Sequence, residues 1–519
     1  MSNFGALIQA VSAAWLMTTI SSSATAVALV QASTTLPIMI FSLVSGAIAD
    51  GYDRRRVIMI AQAFMFAVSL ALVAVTWAGL MTPAILLVFT FLIGCGTALN
   101  NPSWQASIGD IVGKERLGQA VLLNSVSFNV VRSVGPAVGG AIIAAAGSVA
   151  AFGVNALTYL PLLIVLFLWR PVIASSGLPR EPLHTAMTSG MRYVLLSPEI
   201  TRVMLRAFLF GISTVVVLSL LPLYASQAKA GALGYGLMLG AFGGGAVAGA
   251  FGSTWLRARL TPERLVRTTF VVFAASAAVI GLSPVIWVAI LALPFGGAAW
   301  VVTLSLFNTT VQLSSPRWVV GRALSLYQMA TFGGMALGAW AWGSLAEAAT
   351  VPTALLVASV VMLLGSSAGI VYPLPERFDD DLDPHDGWRR PKVELDLLPR
   401  SGPISISVDY EIDDDALDAF LDVMRERRRI RLRNGAHSWV LTQNLENHRL
   451  WQETFKVPTW TEYLRYQSRT TQADAEVTRR LRQIASASTP SVQRAVVRDP
   501  MRTATRNEAS AYHPPIDIA

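Results

Sequence analysis

Apolar runs of about 20 residues, separated by short polar breaks, fill the first 372 residues of the chain. Only 18 basic and 8 acidic residues occur among them, about 7%, whereas soluble domains carry about 25% charged residues. The remaining 147 residues contain 22 basic and 24 acidic residues, about 31%. The first part is therefore too apolar for a water-soluble globule and predicts a membrane-embedded bundle. The second part predicts a water-exposed domain.

A helix needs about 20 apolar residues to cross a hydrocarbon core about 30 Å thick, so the apolar part accommodates twelve spans. The apolar runs place these spans at residues 4–20, 26–48, 57–78, 82–104, 120–145, 150–169, 204–224, 232–256, 266–283, 285–311, 322–346 and 350–372. Basic residues mark the cytoplasmic loops of membrane proteins. Here they occur in alternate loops, and the opposite loops hold only Lys229. This alternation predicts a multi-pass protein of the cytoplasmic membrane with both termini in the cytoplasm.

The second half of the bundle repeats features of the first. Asn101 and Gln105 near the end of the fourth span recur as Asn308 and Gln312 near the end of the tenth, and a glycine cluster follows each pair. Two parallel six-helix repeats leave such traces. The predicted fold class is therefore an all-α membrane part of twelve helices in two six-helix halves, followed by a small cytoplasmic α+β domain. The predicted divisions are the halves 1–169 and 204–372, the cytoplasmic loop 170–203 between them, a linker 373–402, the α+β domain 403–499 and a disordered end 500–519.

The net charge of +8 and the pI of 9.8 do not indicate nucleic-acid binding, because the basic excess lies in the loops of the membrane part. The lone cysteine, Cys95, lies in an apolar run, which excludes a disulfide framework and a cysteine metal site. No cofactor and no metal is predicted. The first Lys or Arg is Arg54, so the start is predicted to be a span and not a cleaved signal peptide.

The loop GAIADGYDRRRV joins spans two and three. Gly46 allows close helix approach, Asp50 ends the second span, and Asp53 with Arg54 and Arg55 supplies paired charge. Such a cluster can hold two helix ends together in one conformation and release them in another. A basic loop that only sets the topology is the alternative.

The fifth span carries a glycine and proline element formed by Gly135, Pro136, Gly139 and Gly140. Proline frees a backbone carbonyl and the glycines permit close helix approach, so the element fits a conformational gate as well as a packing device. Arg132 is the one charge well inside a predicted span. A buried arginine needs a partner, which is either a polar side chain such as Asn124, a backbone carbonyl or an anionic substrate group.

Polar side chains scattered through apolar helices are candidates for a substrate cavity: Gln9, Gln31, Asn124, Arg132, Asn155, Asn308, Gln312 and Gln328. Each amide is equally consistent with a bridge between helices. A cavity of amides, hydroxyls and aromatic rings such as Trp15, Trp300 and Phe332 suits a bulky amphipathic small molecule. Arg202 and Arg206 are expected to be snorkelling anchors at the cytoplasmic end of span seven.

The loop GAIADGYDRRRV contains a glycine, then three residues, an aspartate and a basic run. This pattern resembles the loop motif of the major facilitator superfamily. Asp53 replaces the usual glycine before the basic run. Three features resemble the transmembrane secretion effector branch, which includes the enterobactin exporter: this variant, the opening SNFGALIQAVSAAWL and the stretch NSVSFNVVRSVGPAVGG. The resemblance implies a secondary transporter that exports a small amphipathic metabolite, siderophore or drug by alternating access with proton antiport.

Two departures from the family pattern affect these expectations. The first span has no carboxylate, and Thr90 stands where related drug antiporters carry an arginine, so the proton carrier is missing from its usual places. Proton antiport stays the expectation, without a named residue to carry the proton. The first span has only about 17 residues, at the lower limit for a membrane span, and family members carry a basic and aromatic stretch before it. We therefore expect Met1 to be an internal or late start.

The tail predicts the element order βαββαβ, from the alternating strand ISISVDYEI to the last strand VQRAVVR, which is the order of a ferredoxin-like unit. It resembles antibiotic-biosynthesis-monooxygenase domains, which usually pair, so a homodimer through the tail is an expectation. The candidate pocket residues are His437, Trp439, Asn444, His448 and Trp451. A binding or dimerisation module is predicted, and no enzyme activity. The alternatives are a tail that acts as a cofactor-independent oxygenase and a ligand-sensing membrane protein.

Overall fold

A computed structural model describes residues 2–168, 182–371, 373–374, 381–385, 391, 393–485 and 491–498. It describes only the backbone of residues 50–51, 106, 108–130, 132–133 and 371. The chain divides into two compact units. The helical unit comprises residues 1–187, 199–311 and 321–376, and the tail unit comprises residues 188–198, 312–320 and 377–519.

Helices precede the first strand, and all of them except the short amphipathic helix Leu183–Leu195 are long and apolar. Within the described residues they are α1 Ser2–Ile20, α2 Ala24–Gly51, α3 Arg54–Trp77, α4 Pro83–Leu168, α5 Leu183–Leu195, α6 Pro198–Gln227, α7 Gly231–Arg259, α8 Pro262–Leu282, α9 Ile286–Leu313, α10 Val320–Ala348 and α11 Val351–Val371. Their ends follow local chemistry: Ser23, Asp53 and Thr261 are N-caps whose side chains accept backbone N–H bonds of α2, α3 and α8.

The helical stretch α4 contains more than one pass. A straight helix of its 86 residues would be about 130 Å long, several times the thickness of a bilayer core. Gly139 packs against Ile8 of α1, and Thr158 packs against Gly5 one turn away on the same helix. Gly147 lies between them with φ of +78°, a left-handed value that ends a right-handed helix. The chain therefore reverses at Gly147.

Ten helices in the described part of the chain are long and apolar enough to span a membrane, which supports a multi-pass membrane protein. This set counts Val134–Leu168 once and does not include α10. The count of twelve spans therefore stays a prediction. The seventh predicted span begins at residue 204, but α6 begins at Pro198, because the polar turn that contains Glu199 continues the helix beyond the apolar run.

The tail unit contains one antiparallel sheet of four strands in the order β2-β3-β1-β4. Its elements are β1 Ile404–Glu411, a 3₁₀ turn Asp414–Ala416, α12 Leu417–Asn434, β2 His437–Gln443, β3 Leu450–Val457, α13 Trp460–Ser468, α14 Gln472–Ile484 and β4 Ser491–Val496. Buried and partly exposed residues alternate along β1, so one face of the sheet meets the core. Phe420 of α12 and Tyr463 of α13 are fully buried in this core.

Candidate functional site

Helices of both halves of the helical unit enclose a cavity of about 410 Å³. The first half contributes residues of α1, α2 and α4, and the second contributes residues of α6, α7, α9 and α10. The polar and aromatic side chains in its lining are Gln9, Gln31, Thr34, Thr35, Thr90, Thr97, Ser219, Tyr235, Phe242, Trp300 and Phe332. Among the residues whose side chains the structure describes, this lining contains no charged group. The cavity therefore suits an apolar or aromatic body with hydrogen-bonding groups.

The structure sorts the predicted substrate residues into three groups. Gln9 and Gln31 line the cavity, and Asn155 lies directly behind Gln9, fully buried and hydrogen-bonded to it. Asn308 on α9 and Gln328 on α10 belong to the helical unit but are not in the lining, and Gln312 belongs to the tail unit. The side chains of Asn124 and Arg132 lie outside the described residues. Of the predicted aromatic residues, Trp300 and Phe332 line the cavity, and Trp15 stacks on the lining residue Tyr235.

The charged side chains of the loop between α2 and α3 cap helix ends. The Asp53 carboxylate accepts the N–H of Arg55 at 3.0 Å and pairs with Arg56 at 3.5 Å. Arg55 donates to the carbonyl oxygens of residues 166 and 167, at the C-terminal end of α4, and Nε of Arg54 lies 3.3 Å from a carbonyl oxygen of α2. These bonds stabilise the first half of the helical unit. The side chain of Asp50, the other predicted acid of this loop, lies outside the described residues.

Contacts between α2 and α10 join the two halves at both ends of these helices. At one end, a Cβ on Gly46 would lie 2.6 Å from Oγ of Ser325, and Ser42 donates to the Ser325 carbonyl at 3.1 Å. At the other end, the Glu347 carboxylate accepts a hydrogen bond from the Ser23 hydroxyl at 2.7 Å. The predicted gating residue Gly46 thus lies at a contact between halves.

The glycine and proline element lies where α4 meets two other helices. Gly135 and Gly139 pack against α1, and Pro136 lines the cavity. Gly140 packs against Gly236 of α7, and a Cβ on either residue would come within 3 Å of backbone atoms of the opposite helix. The element therefore joins the halves beside the cavity.

Arg206 is not a snorkelling anchor. Its side chain is only 1% exposed and forms an ion pair with Glu263 of α8, while Arg202 is exposed as expected. Glu263 also accepts from Arg267 at 3.0 Å and from the backbone N–H of Leu374 at 3.2 Å. A snorkelling side chain needs a path to water, and here the facing carboxylate retains the guanidinium inside the bundle.

A buried carboxylate organises the interior of the tail unit. Glu453 on β3 is fully buried and accepts hydrogen bonds from Tyr410, Arg427, Arg431 and Trp439 at 2.9–3.0 Å. Burial by itself raises the pKa of this carboxyl, but the two arginines outweigh it and hold the pKa of Glu453 well below its usual range. Sequence analysis missed this cluster, although an acid in an inward-facing position of an alternating strand was the available signal.

The five predicted pocket residues of the tail do not converge. Trp439 donates to Glu453, and Trp451 packs on Phe420 in the core. The other three are exposed: Asn444 accepts backbone N–H bonds in the β2–β3 turn, His448 pairs with Asp414, and His437 lies beside Arg192. Trp439 and Trp451 are therefore core residues and the other three are surface residues, and the five do not line one pocket.

The tail unit also includes segments 188–198 and 312–320, which lie between membrane helices in the chain. Trp318 stands edge-on to Tyr193, with ring centroids 5.4 Å apart, and the guanidinium of Arg469 lies 4.5 Å from the Trp318 ring. The guanidinium of Arg192 lies 3.1 Å from Nε2 of His437. Although part of the His437 side chain is exposed, partial burial of its ring and this neighbouring cation lower the pKa of His437. The imidazole accepts the hydrogen bond, because a guanidinium can only donate.

Comparison with known proteins places these features among transporters. A family model described as transmembrane secretion effector matches residues 1–503. The enterobactin exporter EntS of Escherichia coli O1:K1 / APEC is 26% identical over 334 residues, which are 62% of this chain and 79% of that protein. The staphyloferrin A transporter of Staphylococcus aureus is 31% identical over 146 residues, 28% of this chain. That match spans only 37% of the staphyloferrin A transporter's length.

Solved transporter structures share the architecture of the membrane part. The crystal structure of a POT family transporter in complex with 5-aminolevulinic acid matches 72% of this chain and 93% of that chain, with a TM-score of 0.58 and 11% identity. An inward-facing, occupied bacterial homologue of the human lysosomal transporter Spinster matches 72% of this chain and 93% of its own, with a TM-score of 0.55 and 14% identity. At these identities the likeness shows the fold alone.

Proposed function

Because the chain belongs to the transmembrane secretion effector family of major facilitator transporters, we propose that it exports a small amphipathic metabolite, a siderophore or a drug. The observation that carries this proposal is the cavity of about 410 Å³ between the two halves, with its amide, hydroxyl and aromatic lining. Rocking of the halves about the α2–α10 and α4–α7 contacts alternates access to this cavity. Both termini lie in the cytoplasm, and export is driven by proton antiport.

The names of the relatives support a siderophore as substrate. One is an enterobactin exporter and another is a staphyloferrin A transporter. The uncharged described part of the cavity lining favours a substrate whose hydrogen-bonding groups are uncharged, because carboxylates left unpaired in an apolar cavity carry a large desolvation penalty.

Efflux from proteoliposomes tests the export proposal. Vesicles loaded with enterobactin, staphyloferrin A or ethidium are assayed with and without an imposed proton gradient. We expect gradient-dependent loss of at least one compound, with enterobactin preferred. Efflux unaffected by the gradient contradicts antiport, and no efflux of any compound contradicts export and favours a ligand-sensing protein.

We infer that the loop between α2 and α3 latches one state of the transport cycle, through Asp50, Asp53, Arg54 and Arg55. The contact of Gly46 with Ser325 in the other half supports this inference. Substitution of Asp50 or Arg54 is expected to abolish efflux without lowering the amount of protein in the membrane. Unchanged efflux in such variants contradicts the latch.

For the tail we propose a ferredoxin-like binding or dimerisation module and no enzyme activity. The element order β1-α12-β2-β3-α13-α14-β4 and the sheet order β2-β3-β1-β4 support the fold. Light scattering of the full-length and tail-deleted proteins tests dimerisation. Oxygen uptake by the full-length protein with a polyphenol contradicts the non-enzymatic role.

A further inference from the structure

A buried amide pair connects the cavity wall with the helices behind it. Oε1 of the cavity-lining Gln9 accepts a hydrogen bond from Nδ2 of Asn155 on α4. The same Nδ2 donates to Oγ of Ser69 on α3 at 3.2 Å. Gln9 is 4% exposed, and Asn155 and Ser69 are fully buried. Asn155 therefore holds the Gln9 amide from outside the cavity.

The surroundings of Asn155 determine which way its amide points. A Cβ on Gly5 would lie 2.7 Å from Oδ1 of Asn155, so this oxygen faces the Cα of Gly5. In that place the oxygen meets a C–H group of Gly5, a weak contact, while the two N–H groups of Asn155 point to Gln9 and Ser69. The NH₂ group of Asn155 is therefore the group that faces Gln9.

This orientation decides what Gln9 presents to the cavity. A glutamine amide has one oxygen acceptor and one NH₂ group with two donors. Asn155 donates to the oxygen, and this is the hydrogen bond that the Gln9 side chain forms within the described part of the chain, which leaves the two donors of Nε2 for the cavity. Gln9 thus contributes a donor to a lining that also includes the aromatic residues Tyr235 and Trp300.

We propose that Asn155 is a positioning residue that holds Gln9 with its amide nitrogen toward the cavity. The exported molecule then binds Gln9 through an uncharged oxygen acceptor, such as a carbonyl or a phenol, and places its apolar or aromatic body against the rings. This assignment rests on the export function proposed above. Asn155 itself does not contact the substrate.

A double-mutant cycle in the enterobactin efflux assay tests the assignment. Loss of one substrate hydrogen bond costs about tenfold in affinity, so Q9L and N155L are each expected to raise KM about tenfold and to leave the maximal rate within about twofold. If Asn155 acts through Gln9, the KM of Q9L/N155L equals that of Q9L. A further increase in the double variant overturns the proposal.

The chain offers a matched control for the loss of a buried amide bridge. Gln62 of α3 donates to Asn100 of α4 at 3.0 Å in the same half, and neither residue lines the cavity. N100L removes that bridge and is expected to leave KM unchanged. Protein yield and melting temperature are measured for every variant, so that a folding defect is recognised.

A second variant keeps the test decisive if N155L fails to fold. Q9E keeps an acceptor for Asn155 but turns an oxygen instead of a donor to the cavity, so it is expected to raise KM at least tenfold. An unchanged KM in Q9E overturns the assignment. Wild-type protein that exports none of the three probes contradicts the export proposal, whereas wild-type export with an unchanged KM in N155L contradicts the positioning role alone.

Discussion

Glu453 shows how a single buried charge can hold a small domain together. Its carboxylate receives two arginines, a tyrosine and a tryptophan, and all of its surface is removed from water. A buried ion cluster of this kind stabilises the fold only while every partner is present, because a buried charge without its partner carries a large desolvation penalty. The cluster is therefore the most sensitive point of the tail unit to single substitutions.

The variant E453Q leaves Arg427 and Arg431 without a balancing charge. We expect the free energy of unfolding of the tail to fall by about 3–5 kcal/mol, measured by hydrogen exchange of the β1 and β3 amides in the full-length protein. The control E426Q removes a half-exposed carboxylate that pairs with Arg480 at 2.7 Å, and is expected to cost less than about 1 kcal/mol. Equal losses in the two variants contradict the structural role of Glu453.

The lowered pKa of Glu453 also predicts an acid-sensitive tail. A carboxyl whose pKa is lower in the folded state stabilises the fold above its unfolded pKa of about 4.3 and loses this contribution as the pH falls below that value. Exchange protection of β1 and β3 is therefore expected to drop progressively as the pH falls below about 4.3. E453Q should lack this step, and a step of the same size in E453Q assigns it to other carboxyls.

Short-range patterns predicted the elements, whereas contacts between distant residues escaped prediction. The alternation of ISISVDYEI predicts β1, and the structure has a strand at Ile404–Glu411, because period-2 burial is a local property of the chain. The pairing of Arg206 with Glu263, 57 positions away, depends on how α6 and α8 pack. The same limit applies to the cavity residues. Gln9 and Asn155 are both buried amides and are equal candidates in the sequence, and only the packing of the helices shows that Gln9 lines the cavity and Asn155 lies behind it.

At the scale of helices, the α4–α7 contact depends on two glycines without side chains. A Cβ on Gly236 would lie 2.8 Å from the carbonyl oxygen of Pro136 and 2.9 Å from Cα of Gly140. Both obstacles are backbone atoms, so G236A must push the two helices apart. Because this contact joins the halves beside the cavity, G236A is expected to lower the efflux rate at least tenfold while the protein still reaches the membrane.

The same helix supplies the control for the glycine prediction. A Cβ on Gly252 meets nothing within 4 Å, and this residue lies in the regular part of α7. G252A adds the same methyl group and is expected to keep efflux within about twofold, since exchange of Gly for Ala in a helix is favourable by about 1 kcal/mol. Equal defects in the two variants contradict a specific role of the α4–α7 contact.

For the whole molecule, the main finding is that two segments between membrane helices fold with the tail. Tyr193 and Trp318 are 125 positions apart, and both meet arginines of the tail domain, Arg433 at 5.1 Å and Arg469 at 4.5 Å. Each segment continues in the chain into helices that line the cavity: 188–198 into α6, and 312–320 into α9 and α10. The tail unit therefore contains segments from between the membrane helices as well as the C-terminal domain.

Replacement of Trp318 tests whether its contacts keep segments 188–198 and 312–320 packed against the rest of the tail unit. W318A removes the ring that contacts both Tyr193 and Arg469, at a cost of about 1.4 kcal/mol or more. Opening of the tail unit exposes the Arg192 side chain, which otherwise packs against His437. Trypsin is therefore expected to cleave after Arg192 about tenfold faster, because the cleavage rate follows the population of the open form. Mass spectrometry locates the cleavage site. W287A removes a tryptophan of α9 that is 67% exposed, and it should leave this rate unchanged. If W318A also keeps the wild-type cleavage rate, the aromatic and arginine stack does not hold the segments to the tail.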